Sequence, residues 1–130
     1  MRRPFDHEQP VLVVDDDAMT VDLITRYLGR IGFKNVDSTT EGLVALNMLR
    51  AKPYAAVISD LNMEPFGGLQ LLRSVRADRT LGNTRFIMAT GDLKTESVTA
   101  ARKLGVNAYL LKPFSREQLQ AKLGEALGAQ

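Results

Sequence analysis

Short apolar runs and stretches of helical period alternate along this chain. The first run, Val11 to Val14, is uninterrupted and of strand length. Beyond it Val21, Ile24, Leu28 and Ile31 fall three, four and three apart, the spacing of one helix face. A weaker strand follows over 35–38. Leu43, Leu46 and Leu49 mark the inner side of a second helix, with Thr40 as its predicted N-cap. Residues 54–59 (YAAVIS) read as a buried strand, and Leu69, Leu72 and Val75 mark a third helix opened by Gly67 and Gly68. A fourth strand covers 85–90 (RFIMAT). The helix predicted over 95–104 turns Val98 and Ala101 inward and stops at Gly105; the last strand is 107–111. The final helix has the clearest start. Ser115 and Gln118 fit a capping box, Phe114 and Leu119 a hydrophobic staple, and Pro113 fixes the entry turn.

Five strands and five helices thus alternate. The strands are continuous apolar runs, not alternating ones, so both faces of the sheet are covered. This is the pattern of an α/β fold: a parallel sheet with helices on both sides and right-handed crossovers. In such sheets ligands bind beyond the carboxyl ends of the strands.

Composition narrows the classes. A chain of 130 residues without linker, repeat or biased tract fits one domain, read here as residues 10–130. Residues 1–9 read as a flexible tail, because the Arg2–Arg3 pair is not followed by the apolar stretch a signal peptide needs. The absence of cysteine excludes a disulfide framework, a thiolate metal site and a cysteine nucleophile. No apolar run approaches the ~18 residues of a membrane span. A net charge of +2 is too small a surplus to argue for nucleic acid.

The chemistry lies where the strands end. Asp15, Asp16 and Asp17 follow the first strand, Asp60 the third; Thr90 ends the fourth and Lys112 follows the fifth. All should converge on one edge of the sheet. Carboxylates a few Å apart repel, and a hard cation with oxygen ligands relieves that. Mg2+ suits one or two carboxylates with waters and phosphate oxygens. Zinc is not supported, since His7 is the single histidine and lies in the tail. A lysine as point charge and a threonine hydroxyl suit a phosphoryl group. The residues therefore predict a Mg2+-assisted phosphoryl site with an aspartate nucleophile. Taken singly, each has a plainer reading. Asp17 is an N-cap for the first helix, Lys112 a solvated surface residue, Thr90 a turn former and Tyr109 core packing. Their joint placement at four strand ends carries the functional reading.

The segments VLVVDDD, SDLNM, MATG and YLLKPF, in this order and spacing, resemble the receiver domain of two-component response regulators, and most closely the free-standing chemotaxis (CheY-like) type. The resemblance runs from about residue 10 to 127. It implies a flavodoxin/CheY-like three-layer sandwich with strand order 2-1-3-4-5, for which CheY itself is a standard example. It implies that Asp60 is the phosphoacceptor, charged by the phosphohistidine of a sensor histidine kinase or a histidine phosphotransfer protein. Mg2+ would be held by Asp16 directly, Asp15 through water, Asp60 and the backbone carbonyl of Asn62. Lys112 would pair with a phosphoryl oxygen, Thr90 would swing toward it, and Tyr109 would turn inward behind Thr90. The Lys112–Pro113 bond would be cis. Asn62 and Asp92, two residues beyond Asp60 and Thr90, imply fairly fast self-dephosphorylation, with no other enzymatic activity. Gly91 would leave the phosphoryl site open.

A family sequence often reads D-x-x-M-P-x-x-D-G after the third strand. Here Pro65 stands one position late and Gly67 replaces the second Asp, so the loop and the surface it offers should differ. The reading implies a cytoplasmic protein, monomeric or weakly dimeric, whose output passes to a downstream target protein. Two alternatives compete. Asp15-x-Asp17 resembles the motif of small Mg2+-dependent phosphohydrolases with an aspartate nucleophile, but Met19 stands where that motif has Thr or Val. A phosphorylation-independent interaction module would usually have lost an acidic or Lys position, and none is lost.

Overall fold

The computed structural model describes residues 9–128. The chain alternates β1 (Val11–Val14), α1 (Ala18–Ile31), β2 (Val36–Thr39), α2 (Gly42–Ala51), β3 (Ala56–Asp60), α3 (Gly68–Ala77), β4 (Phe86–Thr90), α4 (Glu96–Lys103), β5 (Ala108–Leu111) and α5 (Arg116–Ala126). The strands form one parallel sheet in the order β2-β1-β3-β4-β5, as expected. The predicted tail at 1–9 lies, but for residue 9, outside the described residues. Among the described residues no helix is long and apolar enough to cross a membrane.

The three inner strands are buried at every residue, which is why they read as unbroken apolar runs. Alternate side chains feed two cores. Leu12, Val14, Val57, Phe86 and Met88 pack with Leu46 and Leu49 of α2, Leu71, Leu72 and Val75 of α3, and Val98 and Ala101 of α4. Val11, Val13, Ile58, Ile87 and Leu110 pack on the other face with Ile24 and Leu28 of α1 and Leu119 and Leu123 of α5. Two helices cover one face and three the other.

Local signals hold at most helix ends. Ser115 Oγ accepts from the Gln118 amide at 3.1 Å, and Gln118 Oε1 accepts from the Ser115 amide at 2.8 Å. Phe114 packs in the same core as Leu119, consistent with the staple. Thr95 Oγ1 caps α4 at the Val98 amide (3.2 Å), and Gly105 ends it at φ 77, a conformation that favours glycine. Both Lys112–Pro113 and Glu64–Pro65 are cis; the first was implied by the resemblance, the second was not.

The second helix corrects its sequence reading. Leu43 points outward and is 55% exposed, and the inner side is Gly42, Ala45, Leu46 and Leu49. The N-cap position is Glu41, not Thr40, and the Glu41 amide donates to Thr39 Oγ1 at 3.2 Å. A glycine stands at 42 because the Phe66 backbone comes close: a Cβ there would overlap the Phe66 carbonyl oxygen. In α3 the buried row runs through Leu71 and Leu72, and Leu69 is half-buried at its rim.

The edge strand β2 is interrupted by a charge at its centre. Asp37 Oδ2 accepts from Tyr54 Oη at 2.7 Å and from Lys52 Nζ at 2.9 Å. The Tyr54 hydroxyl, then Lys52, hold its carboxyl below the usual carboxylate range, while burial pushes the Tyr54 phenol up. A depressed carboxyl contributes stability above its unfolded value near 4, and that contribution is lost as pH falls through the folded value. Asp37→Asn should therefore cost about 1 kcal/mol at pH 7. The deficit should shrink at pH 3, and urea unfolding at the two pH values checks it.

Candidate functional site

Strand register brings the carboxyl ends together. β1 pairs with β3 up to Val14 and Ser59, so the next residues, Asp15 and Asp60, leave adjacent strands at the same level. Asp60 is level with Ala89 of β4, and Thr90 with Leu111 of β5. The Lys112 amide donates to the Thr90 carbonyl at 2.8 Å, which carries the β4–β5 pairing one residue further and turns Lys112 into the same edge.

The lysine joins the two acids. Its Nζ lies 2.7 Å from Asp15 Oδ2 and 3.1 Å from Asp60 Oδ1. The other oxygen of Asp15 accepts from the Asp17 amide at 2.9 Å, so this carboxylate, 1% exposed, is fixed at both ends. Asp16 is exposed beside it, and oxygens of Asp15, Asp16 and Asp60 lie within 4.8 Å of one another.

Asp17 does not join this group. Its Oδ1 accepts from the Met19 amide (3.1 Å) and its Oδ2 from the Thr20 hydroxyl (2.9 Å), so it caps α1 as its single-residue reading predicted. Of the acids that follow β1, the cluster thus keeps Asp15 and Asp16, which with Asp60 make three carboxylates. Capping also removes the second acid that the Asp15-x-Asp17 phosphohydrolase motif would need.

Electrostatics follow from this packing. Burial pushes the Asp60 carboxyl up, and the charges of Asp15 and Asp16 add to it; Lys112 opposes the rise without cancelling it. Burial alone would lower the Lys112 ammonium, but its bonds to Asp15 and Asp60 outweigh that and raise it. The site thus holds a carboxylate whose charge is costly beside a cation that stays charged. In metal-free protein the Asp60 carboxyl should titrate above the ordinary aspartate value of about 4. Carbon NMR of labelled aspartate checks this, and a midpoint below 4 would contradict it.

The remaining predicted residues have partners of their own. Thr90 Oγ1 donates to the Asp92 carbonyl and accepts from the Asp92 amide, both at 3.2 Å. Asp92 Oδ1 accepts from the Lys94 amide at 2.9 Å. Nothing stands within 4 Å of where a Gly91 Cβ would be, so that flank is open. Asn62 is exposed in the loop two residues beyond Asp60. Tyr109 is half-buried, and its hydroxyl donates to the Val98 carbonyl of α4 at 2.6 Å. Its ring packs against the first core with Arg102 5.9 Å above it, so the core-packing reading holds for the ring.

Sequence reasoning missed two polar residues. Ser59, fully buried, donates from Oγ to the Asp60 carbonyl at 3.0 Å. Arg76, at the end of α3, gathers carbonyls at the far end of the sheet. A serine in an apolar strand and a basic residue in a last helical turn are both common, and neither signals its partners.

Comparison with known proteins agrees with this arrangement. The model of the response regulator receiver domain matches residues 11–124. Chemotaxis protein CheY-3 of Vibrio cholerae is 35% identical over 113 residues, 87% of this chain and 87% of that protein. Chemotaxis protein CheY4 of Vibrio cholerae superimposes with a TM-score of 0.86 at 26% identity, covering 93% of this chain and 100% of that one. The receiver domain of a Pseudomonas aeruginosa sensor histidine kinase superimposes with a TM-score of 0.84 at 25% identity, over 94% and 99% of the two chains. That domain has a magnesium ion coordinated in its active site cleft. The chain belongs to the response regulator receiver domains, as a CheY-like member of two-component signalling.

Proposed function

We propose that this chain is a receiver, residues 10–130, that accepts a phosphoryl group on Asp60 from a phosphohistidine and passes the signal to a partner protein in the cytoplasm. The observation that carries this reading is Lys112 Nζ bridging Asp15 and Asp60 beside the exposed Asp16. In transfer, a carboxylate oxygen of Asp60 forms the new P–O bond while the P–N bond of the donor breaks. The imidazole nitrogen leaves with that electron pair. Receiver domains generally take phosphate from histidine kinases and act on downstream targets.

The three clustered carboxylates offer only hard oxygen donors and an excess of negative charge, which fits Mg2+. Asp15, Asp16, Asp60 and the Asn62 carbonyl would hold it. When bound it supplies positive charge and orientation to the phosphoryl oxygens. The chain's own residues do the rest. Asp15 keeps Lys112 extended over Asp60, and the ammonium is placed to meet a phosphoryl oxygen. In moving toward that group Thr90 would give up its two bonds to Asp92. Tyr109 can follow only by leaving the Val98 carbonyl. A phosphoryl group adds roughly two negative charges and strong acceptors. It thereby favours the arrangement in which both bonds are exchanged and the face of α4, β5 and α5 is repacked. A target preferring that arrangement shifts the population toward it. Open space at Gly91, with Asn62 and Asp92 beside the site, supports fairly fast hydrolysis of the phosphoaspartate.

Incubation with Mg2+ and a small phosphodonor such as acetyl phosphate tests this reading. Acid-labile, hydroxylamine-sensitive phosphate should appear at one site, mapped to Asp60. No label, or label elsewhere, overturns it. Pull-down with and without beryllofluoride separates a switch from a constitutive interaction module, whose partners would be the same in both arms.

A further inference from the structure

The backbone carbonyl of Asp60 sits in a close-fitting cradle that the proposed phosphoryl chemistry has not used. Pairing of β1 with β3 ends at Val14 and Ser59, one residue short of Asp60. Past that point the Ser59 hydroxyl donates to the Asp60 carbonyl oxygen at 3.0 Å, although Ser59 is fully buried in an otherwise apolar stretch. The opposite wall is Gly68, the first residue of α3. A Cβ there would overlap the Asp60 carbonyl oxygen and stand 3.0 Å from both the Asp60 carbonyl carbon and Leu61 Cα. The Gly68 amide donates to the Leu61 carbonyl at 3.1 Å, and the Leu61 amide to the Ala89 carbonyl at 2.9 Å. The Asp60–Leu61 peptide is therefore held by a hydroxyl, a bare Cα and one backbone bond, and the next peptide is tied to Gly68 through the Leu61 carbonyl.

That peptide fixes two functional groups at once. The Asp60 carboxylate grows from one side of it, and one residue beyond lies Asn62. Rotation of this peptide would tilt the carboxylate away from Lys112 and turn the Asn62 carbonyl.

We propose that Ser59 and Gly68 are positioning residues, which aim the Asp60 carboxylate and the Asn62 carbonyl by immobilising the Asp60–Leu61 peptide. The inference rests on the reading of Asp60 as phosphoacceptor. Neither residue touches the phosphoryl group. Groups that orient ligands in this way commonly alter metal affinity or activity by about 10- to 100-fold when removed.

The test uses the full chain and the variants Ser59→Ala, Ser59→Thr and Gly68→Ala. Each is assayed well below its own melting temperature for the Mg2+ dissociation constant, followed by the Asn62 amide signal in NMR, and for the phosphorylation rate with acetyl phosphate. Ser59→Ala should weaken Mg2+ binding and slow phosphorylation by about tenfold. Ser59→Thr, which keeps the donor, should recover most of both. Gly68→Ala should do at least as much damage; should it fail to fold, the Ser59 pair decides the matter. If Ser59→Ala only melts earlier, with wild-type Mg2+ affinity and rate, these residues are structural and the inference is wrong. If the wild-type chain itself takes up neither Mg2+ nor phosphate, the phosphoacceptor reading is what has failed, and the inference falls with it.

Discussion

An Asp60→Asn variant should take up no acid-labile phosphate, and at neutral pH it should be more stable than the parent. Loss of uptake follows from the chemistry. An amide oxygen is a poor nucleophile toward phosphorus, and neither of the other clustered acids is placed to take its role. Asp15 is tied to Lys112 and to the Asp17 amide, and Asp16 lies at the exposed rim. The gain in stability follows from the sign of the pKa shift. Burial raises the Asp60 carboxyl, so the folded state favours its protonated form. Such a group helps folding below its unfolded value and counts against folding once pH rises through the folded value. At pH 7 the native charge is therefore a liability, and the amide removes it while Lys112 keeps Asp15 as partner. A gain of about 1 kcal/mol is expected, typical of relieving strain at a functional site. Urea unfolding of both proteins at pH 7 and pH 3 measures it. The gain should vanish at the lower pH, where the parent carboxyl is protonated as well. A variant that still accepts phosphate would move the nucleophile elsewhere, and one that is less stable at pH 7 would show that Lys112 outweighs burial.

How much of this was legible from residues alone depended on whether a partner leaves a trace in the chain. β1, β3 and β4 are buried on both faces, and that forces unbroken apolar runs. β2, at the edge, carries Asp37, Ser38 and Thr39 and gave only a weak signal. The face of α2 is not legible from apolar spacing, because spacing turns the large Leu43 inward, whereas the close approach of Phe66 demands Gly42 there. The site itself was readable because parallel strands place their ends on one edge, so four short motifs sufficed to bring Asp15, Asp60, Thr90 and Lys112 together. That Asp17 would be spent on capping could be expected from its position alone. Ser59 and Arg76 could not be found this way. Their partners are backbone carbonyls, which every residue carries, and no pattern of side chains marks which carbonyls will meet.

Arg76 yields the largest expected loss of stability. Its guanidinium has five N–H groups and all five are used. Nε donates to the Leu104 carbonyl at 3.0 Å, Nη1 to those of Gly82 (3.1 Å) and Thr84 (2.7 Å), and Nη2 to that of Gly105 (2.9 Å) and to Asn107 Oδ1 (3.1 Å). Asn107 Oδ1 also accepts from the Phe86 amide at 2.7 Å. One side chain thus ties the end of α3 to the segments entering β4 and β5, at the edge of the sheet opposite the phosphoryl site. Burial lowers its pKa, with Arg85 adding to the effect, so the charge is held by neutral dipoles at some cost. Hydrogen bonds to a charged group contribute about 1.5–3 kcal/mol each, but a cleft lined by Gly82, Asn83 and Arg85 lets water reach part of this set. Arg76→Ala should therefore lose about 3 kcal/mol, and its melting temperature should fall by about 10 °C. Arg76→Lys should recover little, because an ammonium has three donors and no planar fork to span five acceptors. Phosphate uptake per folded molecule, measured at low temperature, should be unchanged in both variants, since no bond of Arg76 reaches Asp15, Asp60 or Lys112. A variant as stable as the parent would mean that water replaces the guanidinium without loss. A folded variant that no longer accepts phosphate would mean that the two ends of the sheet are coupled through β4 and β5.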